Sequence, residues 1–275
     1  MSSDMPDAQG ALEISPIPAF QDNYLWLLSH SGQAVVVDPG DAAPVEAELE
    51  RRGLQLVAIL ITHHHPDHIG GLDAMLQKHS VPVYGPLAEH KTIPQLSVTL
   101  GDGDEIEVLG RRFKVMEVPG HTLGHIVYFA GASDLDPPIL LCGDTLFSAG
   151  CGRLFEGTPV QMHHSLERLA ELPGATQVYC THEYTQANLA FANAVEPDNK
   201  DLAEYAEHVA QLRKAGKPSL PTSLELEKRV NPFLRVSQPS VVAAVKREQG
   251  AAPKDDVATF ASLRRWKDNF RAPTA

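Results

Sequence analysis

Basic residues and long apolar runs are both scarce in the first part of this 275-residue chain. No lysine or arginine precedes Arg51, and no apolar stretch approaches the roughly 18 residues of a membrane-spanning helix. A secretory signal needs a positively charged start and a transit peptide needs arginines, so neither is expected. These absences predict a cytoplasmic protein that has no membrane partner.

Cysteines are also few, and their spacing suits neither cross-linking nor a thiolate zinc site. The chain has three, namely Cys142, Cys151 and Cys180. An odd number in a chain of this length argues against a disulfide framework and favours a reducing compartment. No pair has the C-x2-C spacing of a structural zinc site. We therefore expect Cys142 and Cys180 to be small core residues on strands.

Positive charge is in deficit overall, with a formal net charge of −12 and a pI near 5.5. This balance disfavours nucleic acid as a partner, because the phosphate backbone binds basic surfaces. The basic residues that do occur are concentrated after residue 200. A basic tail suits a small anionic ligand bound close to it, although the solvated face of an ordinary terminal helix would have the same composition.

Apolar periodicity divides the chain into a strand-rich part and a helical part. Strands are predicted at Leu12–Ile17, Tyr24–Ser29, Ala34–Asp38, Leu56–Ile61, Glu105–Val108, Arg112–Val118, Ile126–Ala130, Ile139–Cys142 and Thr176–Cys180. Helices are predicted at Ala43–Arg52, from about Gly70 to His79, and at Val160–Glu171, Gln186–Ala194, Asp201–Ala215, Pro239–Glu248 and Asp256–Arg271.

This order of elements predicts an α+β fold in which two sheets lie between helices, an αββα sandwich. We expect the sandwich to form a catalytic domain over residues 1–184. A helical, substrate-binding domain should follow over residues 185–275. Residues 1–10 are polar, lack periodicity and are expected to fray.

Four side chains that can bind metal occur within six positions, directly after the apolar run 56–61. They are His63, His65, Asp67 and His68. In an extended turn His63 and His65 point to the same side, because they are two residues apart. Asp67 and His68 follow on the curve into the next helix and should point to a neighbouring position. One loop can therefore supply ligands to two adjacent metals.

Two metals need more ligands than one loop provides, and three further candidates follow strand-like runs. His121 comes after Val-Pro-Gly, Asp144 after Leu-Cys-Gly, and His182 after Tyr-Cys-Thr. Imidazole nitrogen suits zinc and iron, and a carboxylate can bridge two cations. We expect these three side chains to join the His63–His68 loop in one centre.

The other histidines are interpreted as ordinary polar residues. His64 lies between two candidate ligands and should point away from them. His163 and His164 are adjacent on a predicted helix and should both lie at the surface. The same interpretation is given to the isolated histidines His30, His79, His90, His125 and His208.

The segment Thr-His-His-His-Pro-Asp-His at 62–68 resembles the T-H-x-H-x-D-H motif of the metallo-β-lactamase superfamily. That resemblance implies the αββα sandwich. It also implies a binuclear centre in which Asp67 orients the attacking hydroxide. Its ligands would be His63, His65 and His121 for the first metal, Asp67, His68 and His182 for the second, and Asp144 as the bridge. Zinc is the expected metal, and iron or manganese would also suit these ligands.

A narrower resemblance, to the glyoxalase II family, extends from about residue 13 to residue 270. It is carried by GDTLFSAGCGRLFEGT at 143–158, FQDNY at 20–24, THEYT at 181–185 and RRWKDNF at 264–270. It implies hydrolysis of S-(2-hydroxyacyl)glutathione, such as S-D-lactoylglutathione, to glutathione and a 2-hydroxy acid, by a monomer. The implied glutathione contacts are Arg153, Tyr184, Arg264 and Lys267. Phe155 stands where some members have a tyrosine, which puts one hydrogen bond to the ligand in doubt.

Other activities of the same fold stay open as alternatives. A glutathione-persulfide dioxygenase uses a single iron, whereas Asp67, His68 and His182 together favour a second metal site. A β-lactamase would carry an export signal and lack the helical extension. A nuclease would need a basic channel, and a non-enzymatic scaffold would be favoured only if a ligand position were missing.

Overall fold

The computed structural model describes residues 12–271. The first of two large sheets has six strands in sequential order. These are β1 (Glu13–Ala19), β2 (Asn23–His30), β3 (Gln33–Val37), β4 (Gln55–Leu60), β5 (Val83–Pro86) and β6 (Val98–Leu100). Strands β1, β2 and β3 pair in antiparallel fashion, and β3 begins a parallel run that continues through β6.

The second sheet also has six strands, in the order β14-β13-β10-β9-β8-β7. They are β7 (Glu105–Val108), β8 (Arg111–Glu117), β9 (Ile126–Ala130), β10 (Ile139–Gly143), β13 (Gln177–Cys180) and β14 (Thr222–Ser223). A small hairpin of β11 (Leu146–Phe147) and β12 (Gly150–Cys151) follows β10. Strands β10 and β13 are parallel, so their carboxyl ends open at the same edge of the sheet.

Alternation along the strands explains why the two sheets stack. In β2 every side chain except that of His30 is buried, and successive residues belong to different cores. Trp26 and Leu28 join the core between the sheets, which also contains residues of β8 to β10, whereas Leu25 and Leu27 pack with the first helices. Because side chains of a strand alternate between its faces, this pattern requires a covering layer on each side of the first sheet.

Helices provide those covering layers. The structure has α1 (Ala42–Arg52), α2 (Pro66–Ile69), α3 (Leu72–Lys78), α4 (Pro159–Ala170), α5 (Thr185–Val195), α6 (Lys200–Lys214), α7 (Leu224–Val230), α8 (Pro239–Gln249) and α9 (Asp256–Asn269). Helices α1 and α3 pack on the first sheet, while α4 and α9 contribute to the core that contains the second. The predicted α+β fold, an αββα sandwich with a helical C-terminal region, is thereby confirmed.

Several elements differ from the sequence prediction. The helix predicted from about Gly70 to His79 is α3, which spans Leu72–Lys78, and the short helix α2 before it was not predicted. Strands β5 and β6 were not predicted, because four- and three-residue strands carry little periodicity. Strand β14 and helix α7 were also missed. No helix of residues 12–271 is long and apolar enough to cross a membrane.

Strand β14 matters for the domain division, because it comes from the C-terminal part and pairs with β13. The helical region thus contributes to the second sheet as well as packing on it. A boundary between residues 184 and 185 stays a proposal. The fraying predicted for residues 1–10 lies outside the described residues.

Candidate metal centre and adjoining cleft

A buried aspartate fixes the start of the loop that follows β4. Asp38 accepts a hydrogen bond from the Thr62 backbone N–H at 2.7 Å and another from the Thr62 hydroxyl at 2.7 Å. Helix α2 then starts against Gly40, where an added Cβ would lie 1.8 Å from the carbonyl oxygen of Asp67. Glycine is required at this position by the close approach of the two backbones.

Three histidine nitrogens meet at one side of this loop. His65 Nδ1 lies 3.0 Å from His63 Nε2 and 3.0 Å from His121 Nε2. The other nitrogen of the His121 ring donates to the carbonyl oxygen of Arg153 at 2.9 Å. That bond fixes the tautomer of His121 so that its Nε2 lone pair points toward the other two rings.

A second group of ligand atoms lies beside the first. Asp67 Oδ2 is 3.6 Å from His68 Nε2 and 3.4 Å from His182 Nε2. The opposite ring nitrogens face carboxylates, because His182 Nδ1 is hydrogen-bonded to Asp22 at 2.8 Å and His68 Nδ1 lies 3.0 Å from Asp38, although without hydrogen-bond geometry. Each ring is therefore oriented by its own partner, as ligating imidazoles usually are.

Asp144 joins the two groups. Its Oδ2 lies 3.5 Å from His121 Nε2 and 3.3 Å from His182 Nε2, and its Oδ1 lies 3.5 Å from His68 Nε2. The residue is 6% exposed, so water cannot replace these partners freely. A carboxylate in this position can bind cations on both sides.

The arrangement fits divalent cations. Ligand atoms fall into three groups in which all atoms lie within 4.8 Å of one another: His63, His65 and His121; His63, His68 and Asp144; Asp67, His68 and His182. His68 Nε2 and Asp144 Oδ1 are buried without a hydrogen-bond partner among the described residues. Buried polar atoms normally have partners, so atoms left in this state point to a bound ion.

The histidines of the first group are in the protonation state that binds metal. Burial lowers the pKa of His65 to about 4 and lowers the pKa of His121 and His63, the latter well below its usual range. These three rings are therefore neutral at physiological pH, which is the form that binds metal.

The second group holds positive charge instead. Burial alone would lower the pKa of His68, but Asp144 and Asp38 outweigh it and raise the pKa to about 10. Burial is likewise outweighed at His182, mainly by Asp144, and its pKa rises to about 11. Carboxylates that stabilise a proton so strongly would stabilise a metal cation in the same place.

The structure identifies one histidine that the sequence interpretation passed over. His125 is fully buried, and its ring stacks on that of His63 with centroids 4.6 Å apart. Its Nε2 accepts a hydrogen bond from the Asp144 backbone N–H at 3.1 Å. His125 therefore positions Asp144, and only its proximity to His121 in the sequence could have signalled this.

Two other histidines were assigned an orientation from their neighbours in the sequence, and the structure shows where each side chain lies. His64 contacts Glu89 at 3.0 Å and Glu156 at 3.3 Å, so it points away from its neighbours as expected. The surface prediction for His163 was wrong. Its side chain is buried and packs on Phe260 with ring centroids 5.9 Å apart, because α9 covers this face of α4.

A cleft of about 470 Å³ opens beside the centre. His121 and Asp144 form one end of it, and helices α5 and α9 contribute to the other. All four predicted glutathione contacts line it, namely Arg153, Tyr184, Arg264 and Lys267. The structure therefore brings the predicted ligand-binding side chains next to the metal centre.

These four side chains differ in how freely they can meet a ligand. Arg153 has a 66% exposed side chain, and its nearest carboxylate, Asp268, is 3.8 Å away. Tyr184 stacks on His182 with centroids 4.6 Å apart and nearly parallel planes. Lys267 donates to the carbonyl oxygen of Ala187 at 2.9 Å.

Arg264 is the most constrained of the four, with 5% exposure. Its Nη1 donates to the carbonyl oxygen of Cys151 at 2.9 Å, and its Nη2 donates to Asp268 at 2.8 Å. Its guanidinium also lies over the Phe233 ring at 5.2 Å. Most of its hydrogen-bonding capacity is therefore used within the protein.

Phe155 also lines the cleft, and its ring packs edge-on against the His65 and His121 rings at 5.4 Å and 5.3 Å. The side chain is 63% exposed, so it presents an apolar surface where a tyrosine would offer a hydroxyl.

Replacing Asp22 by asparagine is expected to weaken metal binding at the second group about tenfold or more, and to leave the first group unchanged. Asp22 is the partner of His182 Nδ1 and has no contact with His63, His65 or His121. Metal retained against a competing chelator is the measurement. Asp104→Asn is the control, because the Asp104 side chain is exposed and accepts a hydrogen bond from the Gly101 N–H at 2.8 Å, away from both groups. Equal weakening of both metals would contradict the assignment.

Comparison with known proteins places the chain in a family. Residues 20–182 match the model of the metallo-beta-lactamase superfamily, and residues 183–270 match that of the hydroxyacylglutathione hydrolase C-terminus. The hydroxyacylglutathione hydrolases of Ectopseudomonas mendocina and Pseudomonas fluorescens are 56% and 54% identical, over 94% of this chain and the whole of each relative. Among solved structures, ETHE1 from Myxococcus xanthus superposes with a TM-score of 0.61 at 25% identity, covering 93% of this chain and 98% of that one. The chain therefore belongs to the hydroxyacylglutathione hydrolase family of the metallo-β-lactamase superfamily.

Proposed function

We propose that this protein is a binuclear metal-dependent thioesterase that hydrolyses S-(2-hydroxyacyl)glutathione. The preferred substrate is S-D-lactoylglutathione, and the products are glutathione and D-lactate, as in the second step of methylglyoxal detoxification. The observation that carries the proposal is a histidine–aspartate centre that opens directly into a cleft lined by arginine and lysine side chains. The names of the relatives at 51–56% identity support the same substrate class.

We propose two divalent cations per chain, zinc first, with iron or manganese as alternatives. Residues His63, His65 and His121 would hold one, Asp67, His68 and His182 would hold the other, and Asp144 would contact both. When bound, such cations lower the pKa of water to near 7 and polarise a carbonyl oxygen.

Asp67 has a second task in this proposal, the orientation of the attacking water. Its Oδ2 is held by the Asn23 side-chain amide at 3.0 Å. Burial would raise the pKa of Asp67, but His182 and His68 outweigh it and hold the pKa below its usual range. Asp67 therefore stays an acceptor at neutral pH and can take a hydrogen bond from the nucleophile.

The rest of the substrate would lie in the cleft. Glutathione has two carboxylates and one ammonium group, so its net charge is negative, and Arg153 and Lys267 offer complementary charge. Arg264 adds positive potential from a buried position. The leaving thiolate has a conjugate acid of pKa about 8.5 and needs little help from a general acid. We propose that residues 185–275 form a helical substrate-binding domain, that Arg153 and Tyr184 complete the cleft from outside it, and that the protein is a cytoplasmic monomer.

The alternative is a persulfide dioxygenase with a single iron. A complete second group of ligand atoms, around Asp67, His68 and His182, favours the hydrolase. The relatives named above are hydrolases by name as well.

One experiment distinguishes the two functions. Metal content and release of free thiol from S-D-lactoylglutathione are measured on the same purified sample. Oxygen uptake with glutathione persulfide is measured in parallel. Two metals per chain with rapid thiol release is the expected result. A single iron with oxygen uptake, and no thioester hydrolysis, would overturn the proposal.

A further inference from the structure

The turn between β11 and β12 connects the metal centre to the cleft. It consists of residues 147–150, with Asp144 three positions before it and Arg153 three positions after it. Ala149 has a φ of +53°, a left-handed conformation that a non-glycine residue adopts only at a cost. Such a conformation persists when surrounding contacts impose it.

Those contacts come from the C-terminal helical region. Glu227, on α7, accepts hydrogen bonds from the Ala149 backbone N–H at 2.8 Å and from the Ser148 hydroxyl at 3.1 Å. Asn231, at the end of α7, donates to the carbonyl oxygens of Gly150 at 2.9 Å and Phe147 at 3.2 Å. Two side chains thus contact all four residues of the turn.

The pair is itself held in place. Asn231 Nδ2 also lies 2.9 Å from Glu227 Oε2, so its two hydrogens are shared among three acceptors, and the Thr222 hydroxyl donates to Glu227 Oε1 at 2.8 Å. Both Glu227 and Asn231 are fully buried. A buried network in which every member has partners is rigid, because any displacement would leave a polar atom unsatisfied.

The neighbouring end of the hairpin is anchored separately. The Asp144 backbone N–H is bonded to His125, which does not depend on α7. Cys151 and Gly152 follow the turn directly and begin the cleft wall. Movement of the turn would therefore reach the cleft wall, while His125 would still hold the backbone of Asp144.

We propose that Glu227 and Asn231 are positioning residues for ligand binding. They hold the turn 147–150 in its strained conformation, so that the wall from Cys151 to Arg153 is shaped before a glutathione moiety arrives. The inference rests on the proposed function only in taking glutathione as the ligand of the cleft. Pre-organisation of this kind increases affinity, because the ordering cost is not met on binding.

The test uses Glu227→Gln and the non-hydrolysable thioether S-hexylglutathione. The amide keeps one acceptor oxygen, so a donor replaces an acceptor either beside Ala149 and Asn231 or beside the Ser148 and Thr222 hydroxyls, and the turn is held less firmly. We expect the dissociation constant, measured by calorimetry on the metal-loaded protein, to rise at least about tenfold, with metal content unchanged. Ser148→Ala removes the contacts of the Ser148 hydroxyl with Glu227 and Tyr205 and should raise the dissociation constant about threefold, which keeps the test valid if Glu227→Gln fails to fold.

Glu196→Gln is the matched control. Glu196 is also a buried carboxylate of the helical region, and it accepts from Arg235 at 2.7 Å and from Ser240 at 2.6 Å without lining the cleft. It should lower the unfolding temperature and leave the dissociation constant unchanged. Equal effects of Glu227→Gln and Glu196→Gln on binding, or no effect of Glu227→Gln, would overturn the inference. Failure of the wild-type protein to bind S-hexylglutathione would refute the proposed ligand instead.

Discussion

Asp144→Ala is expected to lower kcat by about a thousandfold and to remove one of the two metals that we propose. The carboxylate contacts histidines of both ligand groups, at 3.3 Å to 3.5 Å, so its loss separates the two halves of the centre. Loss of about 4 kcal/mol of transition-state stabilisation corresponds to roughly that rate effect. Metal content and kcat are to be measured on the same preparation.

The control for this prediction is Asp134→Ala, since Asp134 pairs only with Arg112 and Ser133 in an exposed loop. Wild-type turnover by Asp144→Ala with two metals bound would show that the carboxylate is not the bridge. A loss of turnover with both metals retained would assign it to the chemistry alone.

The residues of the metal centre could be selected from the sequence because their local context is simple. An apolar strand that ends in a small residue or a turn delivers the next polar side chain to a sheet edge, as at His121, Asp144 and His182. Parallel strands β10 and β13 then bring two of these ends together. The pattern therefore predicts that these side chains meet at one site, even though the residues that orient them are not known from the sequence.

The partners themselves could not be selected. Asp22, Asp38 and His125 each contact a predicted ligand, but neither the FQDNY segment around Asp22 nor the spacing around the other two residues assigned them a role. Their roles arise from pairings between distant segments, such as the bridge between Asn23 and His182. Sequence spacing carries no information on such pairings.

The burial of the cleft side chains could not be predicted from the sequence either. The family resemblance implied that Arg264 and Lys267 contact the ligand, and both do line the cleft. Spacing in the sequence does not predict how deeply a side chain is buried, and Arg264 is almost fully buried. We therefore expect Arg264→Ala mainly to destabilise the fold, because it leaves Asp268 and the Cys151 carbonyl oxygen without a donor.

Lys267 offers the sharper test of the cleft. Its pKa is lowered to about 8, first by burial and then by the charge of Arg264. The ammonium is present below that pH and is lost above it, so attraction for a ligand carboxylate should fade as pH rises through 8. Wild-type kcat/KM should decline over this range, whereas Lys267→Arg should keep its charge and show a smaller decline.

Lys267→Met should raise KM roughly ten- to a hundredfold at pH 7 and leave kcat nearly unchanged. A charge-assisted hydrogen bond contributes about 1.5–3 kcal/mol, and this contact lies far from the bond that breaks. Contacts of equal strength in the ground and transition states change KM alone. Added salt should raise the wild-type KM more than that of Lys267→Met, because the variant keeps only the charges of Arg153 and Arg264 for salt to screen. If kcat collapses while KM stays constant, Lys267 acts in the chemistry or the fold, and glutathione does not lie where we have placed it.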